Sequence, residues 1–112
     1  MKKIEAIIRP ERLSIVRKAL EEVGYPGLTI TDVRGHGAQK GAVQHFRGTE
    51  FVVDVLPKVK VELVVKDEAV DRLVKVITEN ARTGSVGDGK IFVWTIDEAV
   101  RVRTGASGDE AL

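Results

Sequence analysis

The sequence from Pro57 to Val65 reads Pro-Lys-Val-Lys-Val-Glu-Leu-Val-Val, and its period of two residues predicts a β-strand with one buried face. The apolar residues of that face are Val59, Val61, Leu63 and Val65. Asp67 follows almost at once and is the predicted N-cap of a helix, because a short carboxylate accepts hydrogen bonds from the first free amides of a helix. The apolar stripe of this helix consists of Val70, Leu73, Val74, Ile77 and Ala81.

The rest of the chain extends this pattern in both directions. Residues 90–96 predict a strand after the helix. Toward the start of the chain, residues 3–9 alternate as a strand, Pro10 suits the first position of a helix, and Gly24 suits its end. Residues 28–33 are rich in β-branched side chains and predict another strand. The order is β-α-β, a long loop and β-α-β.

This order predicts an α+β fold, a ferredoxin-like βαββαβ sandwich in which one antiparallel sheet carries two helices on one face. The long loop joins the second and third predicted strands. The other face of the sheet also carries apolar side chains, among them Ile7 and Val64. Because such a face must be covered or solvated, we expect an oligomer.

The composition is that of one folded domain spanning residues 1–112. The absence of cysteine excludes disulfide scaffolds and thiol chemistry. A net charge of +1, from 18 Lys and Arg against 17 Asp and Glu, argues against nucleic-acid binding by bulk charge, and the few aromatic residues do not form a base-stacking platform. No apolar run is long enough for a signal peptide or a membrane span, so we expect a cytoplasmic protein.

Two loops contain seven of the eleven glycines. The first begins at Gly35 and has its main part at about residues 37–55, with residues 51–55 as a candidate hairpin arm, and the second covers about residues 82–90. Glycine permits positive φ and close approach of the backbone, so such loops can cradle a phosphate group with backbone N–H groups. Glycine-rich loops are also commonly plain turns, and both interpretations stay open on composition alone.

The second loop nearly matches the phosphate-binding pattern G-x-x-x-x-G-K-[ST], from Gly84 to Lys90. Ile91 replaces the hydroxyl residue that would hold Mg²⁺, and the loop leads from a helix to a strand instead of from a strand to a helix. The sequence therefore excludes a nucleotide hydrolase of this P-loop class. A glycine cradle closed by a lysine can still bind a polyphosphate without hydrolysing it.

The positive charges are concentrated around these loops. Residues 34–60, residues 82–90 and the pair Arg101 and Arg103 together carry a surplus of six positive charges, which leaves five net negative charges on the rest of the chain. Two arginines that are two residues apart in an extended segment would point the same way and bind an anion. The alternative is that both are solvated surface arginines.

Candidate catalytic groups are few. No Ser, His and Asp spacing suggests a nucleophile, and Asp88 has no obvious partner acid. Asp97 and Glu98 are adjacent, so in a strand they would face opposite ways. These residues are typical of a binding protein more than of an enzyme.

Five segments together resemble the PII signal-transduction proteins, a family of nitrogen regulatory proteins, over almost the full length of the chain. They are Gln39-Lys40-Gly41, residues 46–51 (Phe-Arg-Gly-Thr-Glu-Phe), residues 56–60 (Leu-Pro-Lys-Val-Lys), residues 83–93 and residues 101–105 (Arg-Val-Arg-Thr-Gly). The resemblance implies a homotrimer of ferredoxin-like subunits with a ligand cleft between each pair of neighbours. It also implies that the long loop, called the T loop in this family, docks onto an ammonium transporter or onto enzymes of nitrogen metabolism. Contact with a membrane would then be indirect, through a transporter.

The resemblance further implies that each cleft binds ATP or ADP, and binds 2-oxoglutarate together with Mg-ATP. The implied nucleotide-binding residues are Ile7, Thr29, Gly35, Gly37, Ala38, Gln39, Glu62, Val64, Gly87, Asp88, Gly89, Lys90, Arg101 and Arg103. The implied 2-oxoglutarate-binding residues are Gln39, Lys40, Gly41, Lys58 and Gly87. Gln39 would be the Mg²⁺ ligand, and Arg47, Thr49 and Phe51 would contact the target. The C-terminal segment 101–112 is expected to be partly flexible.

Three positions depart from the family pattern. Phe51 occupies the place of a tyrosine that is uridylylated in many bacterial members, so that modification cannot occur here. Thr49 stands where some relatives carry a phosphorylated serine, which makes that control doubtful. Ala38 replaces an arginine that contacts phosphate in many members, and its loss weakens ATP binding or alters the preference between ATP and ADP.

Two other functions deserve comparison with this one. A slow ATP hydrolase would use the same cleft, but the chain lacks an obvious general base. An RNA-binding ferredoxin-like module would need aromatic residues on its sheet, and salt-dependent RNA binding that ATP does not affect would be its signature.

Overall fold

In the computed structural model, residues 1–36 and 55–112 are described with their side chains, and Val43–Phe46 and Thr49–Val52 by their backbone alone. The strands and helices in chain order are β1 (Lys2–Ile8), α1 (Leu13–Glu22), β2 (Thr29–Gly35), β3 (Val43–Phe46), β4 (Thr49–Val52), β5 (Leu56–Val65), α2 (Val70–Ala81) and β6 (Gly89–Thr95). Short 3₁₀ turns occupy Pro10–Arg12, Asp67–Ala69 and Gly108–Ala111. This order confirms the predicted α+β, ferredoxin-like fold.

The main sheet has the strand order β2-β5-β1-β6, and every neighbouring pair is antiparallel. All four apolar residues of the β5 pattern are buried, as are Ile4, Ala6 and Ile8 on β1. The two helices cover this face with Val16, Leu20, Leu73 and Ile77, none of which is exposed. The alternation that predicted β5 therefore identifies the buried face of the sheet.

Helix α1 ends as the sequence predicts. Gly24 has a φ of +95°, its N–H donates to the Glu21 carbonyl at 3.0 Å, and the Tyr25 N–H donates to the Leu20 carbonyl at 2.9 Å. This pair of bonds is the Schellman arrangement, in which a glycine in the left-handed region satisfies the last carbonyls of a helix. The last turn of α2 is stabilised by Arg12, whose Nε and Nη2 both donate to the Asn80 carbonyl, at 2.9 and 2.6 Å.

The predicted N-cap role of Asp67 is wrong. No side chain caps the 3₁₀ turn of Asp67–Ala69 or the start of α2. The Asp67 carboxylate instead accepts from the amino group of Met1 at 2.9 Å. A full positive charge is a stronger partner for a carboxylate than a backbone amide, so this ion pair replaces the cap.

Strands β3 and β4 pair with each other in the segment that the sequence predicts as a long loop. Their antiparallel register runs from Val43 opposite Val52 to Phe46 opposite Thr49. The predicted hairpin arm, residues 51–55, overlaps β4 only at Phe51 and Val52, and β3 was not predicted. Because β3 and β4 form a separate two-stranded ladder, β5 is the third strand of the main sheet.

The sheet face away from the helices, which we call the open face, carries several exposed side chains among the described residues. Directly opposed residues of an antiparallel pair share a face, so the register places Ile7, Lys60, Lys90, Phe92 and Trp94 together there. Phe92 and Trp94 are 47% and 42% exposed. Neighbouring exposed apolar side chains often mark an interaction surface, and the expectation that other copies of the chain cover this face stays a prediction.

The segment after β6 folds into a turn. The Gly105 N–H donates to the Arg101 carbonyl, and the Arg101 N–H donates to the Ala106 carbonyl, both at 2.8 Å. The prediction that Arg101 and Arg103 lie in an extended segment is therefore wrong, because Gly105, with a φ of +72°, lets the chain reverse between them and Ala106. The expected flexibility of residues 101–112 concerns motion and stays a prediction.

Candidate functional site

One end of the main sheet collects most of the predicted binding residues that the structure describes. The register places Ile8 opposite both Val59 and Gly89, so the end of β1 meets the beginnings of β5 and β6. The end of β2 joins them, since a Cβ built on Gly35 would lie 3.5 Å from Lys58 Cγ. We call this region the loop end of the sheet. Its predicted site residues are Ile7, Gly35, Lys58, Gly87, Asp88, Gly89 and Lys90.

The glycines of the loop from residue 82 to residue 89 have backbone conformations that other residues rarely adopt. The φ angles of Gly84, Gly87 and Gly89 are +90°, +101° and +107°. A Cβ on Gly89 would also lie only 1.7 Å from the carbonyl oxygen of Ile7. Glycine at this position is therefore required by the close approach of the loop to β1 as well as by its φ.

Asp88 organises the same loop through its carboxylate. Oδ2 accepts from the N–H groups of Thr83 and Gly84, each at 2.8 Å. Oδ1 accepts from the Thr83 hydroxyl and from Arg9 Nε, the latter at 3.0 Å. The hydrogen bond from the Thr83 hydroxyl holds the pKa of the Asp88 carboxyl well below its usual value, and the Thr83 amide, Arg9 and the Gly84 amide act in the same direction.

Two cations hold the carbonyl groups of this loop. Arg9 Nη2 donates to the Val86 carbonyl at 2.8 Å, and Lys58 Nζ donates to the Gly87 carbonyl at 2.7 Å. Partial burial lowers the pKa of Lys58, the nearby Arg9 charge lowers it further, and the negative charges of Glu11 and Asp88 oppose these effects. The loop is thus bound by a residue that directly follows β1 and by a residue of β5.

Two cavities flank the loop end. One of about 280 Å³ lies on the helix side, between α2 and β6, and reaches Asp88, Gly89 and Lys90. The other, of about 420 Å³, lies beside the 3₁₀ turn at Pro10 and reaches Arg34 and Lys58. Neither cavity includes Ile7, Thr29, Glu62 or Val64, which the resemblance assigns to the nucleotide.

The open face carries Thr29, Glu62 and Val64. Thr29 lies directly opposite Glu62, and Val64 lies opposite Lys3. The hydrogen bond from Lys3, at 2.9 Å, lowers the pKa of Glu62, and the Lys60 ammonium at 3.9 Å adds to this effect. Glu62 and Val64 are half-buried and Thr29 is exposed, so these residues form a mixed surface that continues from the loop end along the sheet.

Arg101 and Arg103 lie beyond the other end of β6. The Ile96 N–H donates to the Met1 carbonyl, so the chain leaves the sheet at the start of β1, away from Gly89. The seven residues of β6 span roughly 20 Å at the usual strand rise. Arg101 Nη2 donates to the Leu112 carbonyl at 3.0 Å, and Arg103 is exposed. Within one chain these arginines therefore follow the end of β6 that lies away from the glycine-rich loop.

Comparison with known proteins identifies the family. A family model described as "Nitrogen regulatory protein P-II" matches residues 1–106. The chain is 54% identical to a "Nitrogen regulatory protein P-II" of Rhodospirillum rubrum over 112 residues, which is the whole of both chains. It is 53% identical to a protein of the same name from Pasteurella multocida, also over both full lengths. It is 53% identical to "Nitrogen regulatory protein P-II 2" of Methanothermobacter thermautotrophicus, over 97% of that protein. The chain belongs to the P-II family.

The remaining P-II site predictions fall on the long loop. Gly37, Ala38, Gln39, Lys40, Gly41 and Arg47 lie outside the described residues. Thr49 and Phe51 lie in β4, where the backbone alone is described. Among the residues with described side chains, no group of three or more His, Asp and Glu could hold a metal ion, and no helix is long and apolar enough to cross a membrane.

Arg9 and Thr83 are the contacts of this P-II loop to which the sequence assigned no role. Arg9 ends the alternating segment of β1 and directly precedes Pro10, so its position at the loop end follows from the predicted strand order. Thr83 stands five residues before Asp88, and a hydroxyl at this spacing can reach a carboxylate only once the glycines have turned the chain. The position of Arg9 at the loop end could be predicted from the strand order, whereas the contact of Thr83 with Asp88 could be identified only once the conformation of the loop was known.

Proposed function

We propose that this P-II protein is a nitrogen regulatory signal-transduction protein that binds ATP or ADP in clefts between subunits and acts on its targets through the T loop. Membership of a family named for nitrogen regulation supports the regulatory role. The observation that carries nucleotide binding is the pre-formed glycine-rich loop, which is held at one end of the sheet beside the cations Arg9, Lys58 and Lys90.

The loop suits a polyphosphate. Among the described residues, none accepts a hydrogen bond from the backbone N–H of Gly87 or Asp88. Unpaired amides in a turn with positive φ form concavities that favour anions. The Asp88 carboxylate is neutralised by Arg9 and faces the Thr83 and Gly84 amides, so it does not oppose the charge of a phosphate group. In this proposal Gly87, Asp88, Gly89 and Lys90 bind the phosphates.

The open face suits the base and the ribose. Ile7 and Val64 are half-buried apolar residues on this face, and Thr29 and Glu62 are polar residues beside them. A nucleoside has an apolar ring face and polar edges, which such a mixed surface can bind. In this proposal Gly35 also approaches the sugar, with Gly37, Ala38 and Gln39 contributing from the T loop.

The separation of the arginines supports a site made by two copies. Within one chain, Arg101 and Arg103 follow the end of β6 that lies away from the loop, and β6 spans roughly 20 Å. A neighbouring copy packed against the open face can bring its own arginines to that loop, and burial of Phe92 and Trp94 would stabilise the contact. We therefore propose a homotrimer, in which closed rotational symmetry repeats one such cleft between each pair of neighbours.

The same cleft is proposed to bind 2-oxoglutarate together with Mg-ATP. Lys58 and Gly87 would contact the 2-oxoglutarate carboxylates from the described part of the chain, and Gln39, Lys40 and Gly41 from the T loop. Lys58 Nζ already points at the loop, where it donates to the Gly87 carbonyl. Gln39 would be the Mg²⁺ ligand, and the metal would neutralise charge on the phosphates.

The T loop is proposed as the contact with the target, through Arg47, Thr49 and Phe51. The proposed targets are an ammonium transporter or an enzyme of nitrogen metabolism, and the proposed location is cytoplasmic. Phe51 has no phenol oxygen, so regulation by uridylylation at this position is not part of the proposal.

Binding without catalysis is favoured over slow ATP hydrolysis by the state of Asp88. Its two oxygens already accept four hydrogen bonds, and these hold its pKa below the range of a general base at neutral pH. No other carboxylate lies in the loop. Steady-state phosphate release that exceeds that of a Lys90→Ala variant would instead support a hydrolase.

Isothermal titration with ATP and ADP tests the proposed cleft. Lys90→Ala and Arg103→Ala are each expected to weaken ATP binding by roughly ten- to a hundredfold, since each removes a charge-assisted contact worth about 1.5–3 kcal/mol. Lys75→Ala is the matched control, because Lys75 is exposed on α2 and its one ion pair among the described residues is with Glu79, at 3.9 Å. Unchanged ATP affinity in both cleft variants would overturn the proposed site.

A further inference from the structure

We infer that Arg9 is the positioning residue of the phosphate-binding loop: it orients the loop amides through the Val86 carbonyl and the Asp88 carboxylate. This inference rests on the proposed nucleotide site and concerns a residue that acts through the loop. Arg9 follows the last residue of β1, and its side chain is 12% exposed. Its backbone is extended, with φ −66° and ψ 138°, as expected for a residue that precedes a proline.

The guanidinium of Arg9 makes two bonds to two different groups of the loop. Nε donates to Asp88 Oδ1 at 3.0 Å, and Nη2 donates to the Val86 carbonyl at 2.8 Å. A guanidinium is planar and rigid, so these bonds fix the spacing and the angle between the two groups. A lysine ammonium can pair with Asp88 but lacks the fork that reaches both groups in one plane.

The bond to Val86 determines where an amide points. In a trans peptide the carbonyl of one residue and the N–H of the next point in opposite directions, and the peptide bonds of the described residues are trans. Because Arg9 holds the Val86 carbonyl, the Gly87 N–H is directed away from Arg9. Lys58 holds the Gly87 carbonyl in the same way and directs the Asp88 N–H away from Lys58.

Both amides, like that of Val86, donate to no described residue. The loop therefore presents two adjacent N–H groups because its carbonyl groups are already bound to cations. Without Arg9 the Val86–Gly87 peptide can rotate, since Val86 is 64% exposed and Gly87 adopts many backbone conformations. Ordering the loop would then have to accompany nucleotide binding and would reduce the affinity.

The bond to Asp88 links Arg9 to the other side of the loop. Asp88 accepts from the Thr83 and Gly84 amides, so one carboxylate joins the start of the loop to Arg9. Arg9 also supplies the positive charge that allows this carboxylate to stand beside a phosphate site. Arg9 is consequently bound directly to Val86 and Asp88, and through Asp88 it is linked to the start of the loop.

Nucleotide titration of Arg9→Ala, Arg9→Lys and Arg12→Ala tests this inference. Arg9→Ala is expected to weaken ATP binding at least tenfold in a protein that remains folded, and Arg9→Lys to recover part of the loss. Arg12→Ala is the matched control, because Arg12 also donates through Nε and Nη2 to a backbone carbonyl, but at the end of α2. It is expected to lower the unfolding midpoint without changing ATP affinity. Equal ATP affinity in wild type and Arg9→Ala would overturn the inference.

Two further measurements distinguish positioning from direct contact and from failure of the proposed function. In an Asp88→Asn background, Arg9→Ala is expected to cause a smaller additional loss, whereas an undiminished loss would mean that Arg9 contacts the ligand itself. Amide hydrogen exchange of Thr83 and Gly84 measures, in the absence of nucleotide, how well the loop is ordered. Faster exchange in Arg9→Ala, and in Arg9→Lys if the alanine variant does not fold, supports the positioning role. Unchanged exchange overturns it even if the wild type binds no nucleotide.

Discussion

The two ends of β6 differ in how completely their polar groups are paired. At the loop end, Asp88 accepts four hydrogen bonds, and Arg9 and Lys58 both donate to loop carbonyls. At the other end, Arg103 is exposed without a described partner and Val102 is 99% exposed. One chain thus contains a rigid half of the proposed cleft and a second half whose side chains still face solvent. This difference is why we assign the two halves of a cleft to two copies.

The largest effect at the rigid end is expected from Gly89→Ala. The added Cβ would lie 1.7 Å from the Ile7 carbonyl oxygen, and φ is +107°. The clash and the strained φ together are expected to lower the free energy of unfolding by about 3 kcal/mol or more. Urea unfolding at matched protein concentration measures this value.

Gly84→Ala is the control for the clash. Gly84 has a comparable φ of +90°, but a Cβ there would meet no atom within 4 Å. Its cost is expected to be only about 1 kcal/mol, from the backbone conformation alone. Equal costs for the two substitutions would mean that the close approach of the loop to β1 does not contribute to the rigidity of this end.

A smaller effect at the same end is expected in the pH dependence of stability. The folded-state pKa of Asp88 is depressed, so its contribution is complete above the unfolded-state pKa, which is about 4, and is lost as the pH falls through the folded-state value. Asp88→Asn is therefore expected to lose less stability than the wild type when the pH is lowered from 5 to 3.

Urea unfolding at several pH values checks this prediction. Asp97→Asn is the control, because Asp97 is exposed and makes no described contact, and it is expected to follow the wild-type pH dependence. Identical acid dependence in wild type and Asp88→Asn would show that the four hydrogen bonds of this carboxylate do not stabilise the folded chain.

The main sheet was predictable because its pattern depends on burial alone. The alternation from Val59 to Val65 determines which face of β5 is buried once helices cover one face of the sheet. The end of α1 at Gly24 was predictable because the preference of glycine for a positive φ is a local property of the sequence. The positive φ angles of the second glycine-rich loop were also predictable, because glycine is the residue that adopts them most easily.

The wrong predictions occur where a contact that the local sequence pattern does not show decides the structure. Asp67 was expected to cap a helix, but the Met1 amino group lies close enough to pair with it. Arg101 was expected in an extended segment, but the bond from Gly105 closes a turn there. The Arg9 contacts join residues that are nearly eighty positions apart in the chain, and only the strand order brings them together.

The central claim is that each nucleotide cleft is completed by a second copy of the chain, and a mixing experiment tests it most directly. Oligomers of the Lys90→Ala variant alone, or of the Arg103→Ala variant alone, are expected to bind ATP weakly. In the experiment the two variants are unfolded together, refolded as mixed oligomers and titrated with ATP. If Lys90 and Arg103 of one cleft come from different copies, about a quarter of the clefts in an equal mixture contain both native residues and regain wild-type affinity. If no site of wild-type affinity appears in oligomers shown to contain both variants, the two residues do not meet across an interface, and the claim is contradicted.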